Sequence, residues 1–354
     1  MIKFRTLAVL VIALFIAGGC KFFGVDAFSG STLVWESGAN NYFNREKPTS
    51  LPFIGKILVT GEVVKDQFVN TSGMPWHSVT IKEYSPSADS IKFEGAFRYD
   101  GYALCDILST VKVNKLSKDD FYPPVDLYVE VWNNKGEYVV FSWGEIFYSA
   151  DPYKIIMAKS VSRVIPGKTG ELWALPKESK IIAGNDLVTV RNISDPIKIV
   201  IKSLKGDFKV EREPANFTSG KLAFAIDGDR KAIREITELP SNLPSISSRN
   251  VYYGQSMGYK GEKMFSGVDF SLVMKSVFPA DPSIFKNAIV CIEGIDGYRA
   301  AFSFSEIVNR SDSREPLLMT NGSEKGREGF SLFCRGDMFA DRAVKGLSKI
   351  TIMR

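Results

Sequence analysis

The 354-residue chain has one histidine, His77, which excludes His-rich metal sites and the two-histidine zinc motif. Its four cysteines, Cys20, Cys105, Cys291 and Cys334, are too few for a disulfide-stapled scaffold and lack the CxxC spacing of a zinc or redox site. Neither sign of charge dominates. Forty-five basic against 40 acidic side chains leave a formal +5, evenly spread, and give no footing for a nucleic-acid partner. No HExxH, Walker A, EF-hand or strand-following GxGxxG pattern occurs. What is there is the composition of a folded protein: 45% hydrophobic, 24% charged and 12% aromatic residues with 29 glycines. The length suits two domains at roughly 150 residues each.

The first twenty residues form a secretory signal. Lys3 and Arg5 supply a short positive region, Leu7 to Ala17 is unbroken apolar sequence, and Ala17-Gly18-Gly19 precedes Cys20. The apolar run is short for a helix that must cross a bilayer, which takes about 20 residues. Small residues followed by cysteine resemble the lipobox of bacterial lipoproteins, in which the cysteine is lipidated and becomes the new N-terminus. That resemblance implies an exported protein, lipid-anchored through Cys20 to a bacterial membrane on its periplasmic or surface side. Loss of residues 1 to 19 would lower the formal charge to +3. Residues 20 to 50, rich in Gly, Ser, Asn and Pro, read as a tether, although Trp35, Tyr42 and Phe43 imply that part of it packs.

The remainder repeats itself. Tyr99-Asp100-Gly101 leads into Leu104, Ile107, Leu108 and Val111, and 166 residues later Phe265-Ser266-Gly267 leads into Phe270, Val273, Met274 and Val277. Each is one apolar face of a short helix entered through a glycine. A predicted hairpin, Leu127 to Trp132 and Tyr138 to Ile146, recurs at an offset of 161 as Ile289 to Ile292 and Arg299 to Ile307. Both copies contain Phe-Ser-aromatic-x-Glu-Ile, at Phe141 and at Phe302. The later elements pair Gly170–Lys177 with Gly329–Gly336, and Val190–Ile201 with Val344–Ile352. The spacing predicts two tandem domains, 51–202 and 203–354.

The order of these elements resembles the molybdopterin-binding domain of the sulfite oxidase family. The second copy carries the likeness furthest, through Asp296-Gly297-Tyr298-Arg299-Ala300 and the stretch from Cys334-Arg335-Gly336-Asp337 to Lys345-Gly346-Leu347. The resemblance implies an α+β fold, a β-rich core with short helices in each of the two tandem domains. It also implies a molybdenum-pterin cofactor with a cysteine thiolate on the metal, a soft ligand suited to such a site. The intervals that would hold that cysteine, Ser78 to Tyr99 and Ile246 to Phe265, contain none.

The individual residues fit this scaffold without its metal. Cys105, Cys291 and Cys334 sit among apolar neighbours and read as small hydrophobes, with a Cys291–Cys334 disulfide as the alternative if their strands are adjacent. His77 reads as structural. Arg335, Asp337 and Arg342, with Asp341 beside them, form a candidate loop for a small anionic ligand held by guanidinium forks. The alternative is a solvated loop of surface ion pairs. The matching loop of the first copy, Lys177 to Asp186, lacks arginine, so the site is expected once. No catalytic residue, metal ligand or cofactor is assigned. The reading is an anchored envelope lipoprotein serving as a non-catalytic binding or assembly module, its partners a membrane and an envelope protein or small anion. The alternatives are a molybdopterin-dependent oxidoreductase without the usual cysteine, and a purely structural surface protein.

Overall fold

The computed structural model describes residues 43–45, 47–53, 55–87, 90–166, 169–211, 218–229, 231–279, 281–320 and 329–353. The signal sequence and Cys20 lie outside them. At the end of the tether, β1 (Phe43–Arg45) and β2 (Thr49–Ser50) pair antiparallel with a strand of the first unit, β9.

The first unit contains β3 (Lys56–Gly61), β4 (Gln67–Asn70), β5 (His77–Ser87), β6 (Ser90–Ala103), α1 (Leu104–Ser109), β7 (Leu127–Asn133), β8 (Tyr138–Ser142), α2 (Trp143–Phe147), β9 (Ile155–Pro166), β10 (Lys180–Ala183) and β11 (Pro196–Ser203). One sheet runs β4-β3-β11-β7-β8, with β3 and β11 parallel. In the other, β5, β6 and β9 lie side by side and β10 adds to β9.

The second unit contains β12 (Leu222–Ile226), β13 (Arg234–Ile236), β14 (Ser245–Gly254), β15 (Gly258–Asp269), α3 (Phe270–Val277), α4 (Pro282–Asn287), β16 (Ile289–Gly294), β17 (Arg299–Ser303), α5 (Phe304–Val308), β18 (Leu317–Thr320), β19 (Phe330–Phe333) and β20 (Leu347–Met353). Its β12 runs parallel to β20, β20 antiparallel to β16 and β16 antiparallel to β17, the same relations that join β3, β11, β7 and β8. Here a β19–β20 pairing merges all the strands into one nine-stranded sheet.

The expected α+β class, and with it the molybdopterin-domain architecture, is overturned. Strand makes up 48% of the structure against 14% helix, in mixed sheets. The apolar stripes at Leu104 and Phe270 do form helices, but the α-helices are only five to eight residues long. Helices this short cannot make a layer, and the fold is carried by β-strands whose apolar faces meet. A second correction concerns the repeat. Residues 170–177 form no strand. The strand that takes the place of β19 is β10, since Ile182 faces Ile156 as Phe333 faces Leu317. The late elements therefore correspond at an offset of 151.

Apolar alternation fills one core in each unit. Phe97, Tyr99, Leu104, Ile107 and Ile156 are among the buried residues of the first, and Phe224, Phe270, Met274, Phe302 and Phe330 of the second. The second core also takes in Phe121, Val125 and Tyr148 of the first unit, and a third cluster spans the two, with Val140 on β8 meeting Ile289, Cys291 and Ala301 of β16 and β17.

The repeated glycines before α1 and α3 have a steric cause. A Cβ on Gly101 would lie 2.0 Å from the Met157 carbonyl oxygen, and one on Gly267 would lie 2.3 Å from that of Leu318. Each glycine lets one strand press onto the next before the chain turns into its helix. Gly101→Ala and Gly267→Ala should each destabilise the fold by about 1–3 kcal/mol, read from denaturant unfolding.

Candidate functional site at the junction of the two units

The repeated Phe-Ser-aromatic-x-Glu segment places its serine at the end of a strand and at the N-cap of the following helix. Ser142 Oγ accepts from Glu145 N at 2.9 Å and Ser303 Oγ from Glu306 N at 3.1 Å, satisfying a helix-terminal donor that would otherwise be orphaned. The two helix starts face each other across the junction. Ser142 Oγ donates to Glu306 Oε1 at 2.6 Å, and Ser303 Oγ donates to Glu145 Oε2 at 2.9 Å.

Two buried arginines complete the arrangement. Arg191 donates from Nε and Nη2 to both carboxylate oxygens of Asp186, at 2.8 and 2.5 Å, and from Nη1 and Nη2 to Glu145, at 3.0 and 2.6 Å. Its Nη1 also reaches across to Ser303 Oγ at 3.1 Å. Arg342 repeats the pattern. It grips Asp337 from Nε and Nη2 at 2.8 and 2.7 Å, Glu306 from Nη1 at 3.0 and 3.1 Å, and Ser142 Oγ across the junction at 3.1 Å. The guanidinium carbons lie 4.5 Å from the Phe141 ring centre and 4.3 Å from that of Phe302, so each arginine also rests on an aromatic ring. Backbone bonds obey the same approximate two-fold relation. Ala150 N donates to Gly336 O and Ser311 N to Asn185 O, both at 2.9 Å, while Met338 N donates to Tyr148 O and Leu187 N to Asn309 O.

Burial governs the electrostatics. It works against charge on Arg191, but the Asp186 and Glu145 carboxylates outweigh it and hold this guanidinium above its ordinary value; Asp337 and Glu306 do the same for Arg342. Burial pushes the Glu306 carboxyl up to about 7, with Arg342 opposing the rise and Glu145 adding to it. Asp186 is raised by burial against the pull of Arg191.

The candidate anion loop is thus part of this junction. Asp337 and Arg342 come together, bonded to each other and almost fully buried. Arg335 turns away, donating from Nε to the Glu315 carbonyl at 2.7 Å, and Asp341 caps Gln255 N at 3.0 Å. Nε and both Nη atoms of Arg342 already bond acidic side chains, so an anion would have to displace one. The expectation of a single copy does not hold either. Asp186 and Arg191 are the first-copy counterparts of Asp337 and Arg342 at the offset of 151, and the loop Lys177–Asp186 stops short of that arginine. Glu145, Asp186, Arg191 and Glu306 went unidentified in the sequence; the recurring Asp-x4-Arg spacing beside the recurring Ser-x-x-Glu was the signal for them.

A second tie crosses the junction. Lys115 Nζ lies 2.7 Å from Asp126 Oδ1, and Arg299 Nε donates to Asp126 Oδ2 at 3.1 Å between the Phe121 and Phe208 rings. His77 Nε2 meets Asp106 Oδ2 at 2.8 Å, and its ring stacks on Tyr153.

The residues present do not fit the metal centre of a molybdopterin enzyme. Cys105, Cys291 and Cys334 are all buried and unpaired, and none lies in the intervals Ser78 to Tyr99 and Ile246 to Phe265 where the resemblance places the metal's thiolate. No group of three His, Cys, Asp or Glu side chains poised for a metal occurs among the described residues. No family profile and no curated protein sequence matches the chain.

Removing either arginine would strand buried carboxylates, so Arg191→Ala and Arg342→Ala should each cost about 3–5 kcal/mol in chemical denaturation. The two halves of the junction differ sterically at Gly144. A Cβ there would lie 2.2 Å from Arg342 Cδ and Nε, while Ser305 fills the matching position. Gly144→Ala should therefore lower the melting temperature, while Ser305→Ala, which takes a hydroxyl from buried Asp186 and Asn309, should cost about 1–3 kcal/mol.

Proposed function

We propose that the chain is a lipid-anchored envelope protein whose two fused units act as a non-catalytic binding or assembly module. The observation that carries this reading is the destination of the polar groups. The arginines and carboxylates that could have lined a ligand crevice are spent on joining one unit to the other, and the three thiols are buried. Such a junction builds one body out of two repeats and leaves their outer strands to face the surroundings. The β14–β15 hairpin is the most prominent of these, with Val251, Met257, Tyr259 and Met264 all more than half exposed. Exposed apolar side chains gathered on one element favour contact with another protein.

Anchoring follows from the sequence preceding Cys20. No helix of the described residues is long and apolar enough to cross a membrane, and lipid on Cys20 is the means of attachment in this reading. Fractionation of cells making the full chain tests it. The wild type should sediment with membranes and incorporate labelled fatty acid, and Cys20→Ser should do neither. Unchanged membrane association of Cys20→Ser would overturn the anchor.

A further inference from the structure

We propose that the cluster around Arg191 and Arg342 is a proton-operated lock between the two units, in which one proton held among its carboxylates tightens the junction and loss of that proton loosens it. Charge balance is the first argument. Asp186, Glu145, Asp337 and Glu306 bring four carboxylates to two guanidiniums, with every side chain at most 8% exposed. Two surplus negative charges in a site closed to water are costly, and protonation of a carboxylate is the simplest relief.

One further cation, Arg310, acts on Glu306 and Glu145, and its charge is taken up elsewhere. Arg342 and Asp337 face it from the loop after β19, Cys334 from the end of that strand, and Glu145 from α2. Arg191 and Asp186 stand beyond Ser303 and Ser305. Arg310, which follows α5, is already neutralised by a two-point pair with Asp312 at 2.7 and 2.5 Å. The carboxylate is itself a junction contact, since Glu306 Oε1 accepts from Ser142 Oγ at 2.6 Å. That contact joins the second unit to the first, so the protonation state bears directly on the junction.

The direction follows from linkage. The folded chain holds the proton at Glu306 more tightly than the unfolded chain, because burial raises this carboxyl from its ordinary range to about 7. The contribution to stability is therefore fully present in mild acid and disappears as pH rises through neutrality.

Thermal unfolding of the mature chain across about pH 5 to about pH 8 tests the proposal. The wild-type melting temperature should fall by on the order of 5 °C toward the alkaline end. Glu306→Gln, which carries a permanently neutral side chain, should remove that fall, whereas His77→Gln should retain it. A wild-type melting temperature that stays level or rises, a fall that persists undiminished in Glu306→Gln, or one abolished by His77→Gln would each overturn the idea. The wild type alone gives a second measurement should Glu306→Gln not fold. Difference infrared spectra over the same range should show the carbonyl stretch of a protonated carboxyl disappearing as pH rises, and its absence would be equally decisive against the lock.

Discussion

A guanidinium taken out of water must be met on every side by acceptors, or the interior will not hold it. Arg191 and Arg342 satisfy that requirement only by drawing on both units at once. Each is gripped at two points by its own aspartate, again by its own glutamate, and then by the capping serine of the opposite unit. Neither set is complete without the other half of the chain. The placement of α2 and α5, the turn of the loops after β10 and β19, and the contact of β8 with β17 all serve that mutual completion.

The approximate two-fold relation explains why such short helices persist. Helices of five residues are marginal in isolation, and α2 and α5 are held at both ends instead. A serine caps each start, with a full capping box at Ser303 and Glu306, and the backbone beyond each end bonds to the opposite unit. Apolar packing between Val140 and Ala301 fills the space between the strands that lead into them. The polar lattice orients the units, and the apolar contact next to it closes the gap.

Much of the architecture could be read from the sequence where the signal was local. The Asp296-Gly297 turn, the glycine-led helices and the Phe-Ser-aromatic-x-Glu repeat all occupy corresponding places. Reading failed where loops differ in length. Gly170-Glu171-Leu172-Trp173 has the look of a strand and matches Gly329-Phe330-Ser331-Leu332 by eye, yet the register assigns that role to Lys180–Ala183. That slip hid the equivalence of Arg191 with Arg342 and made one half of a symmetric pair look like a ligand loop. The helical stripes were real but too short to set the fold class, because apolar periodicity reports which face is buried and not how many turns will form. Burial of opposite charges between distant segments leaves no periodic trace, and only the repeated Asp-x4-Arg spacing betrays it.

The junction also sets an order in time. Ser142 and Arg342 are 200 residues apart in the chain, and Arg191 and Ser303 are 112 apart. Contacts between such distant positions carry a large loop-closure cost. As the chain emerges from its N-terminus, the first unit can gather its apolar core early, but Glu145 and Arg191 must wait for Ser303 before their bonding is complete. Until then, the face that will become the interior presents a mixed surface, with the charges of Glu145 and Arg191 beside the apolar Phe121, Val125, Val140 and Tyr148.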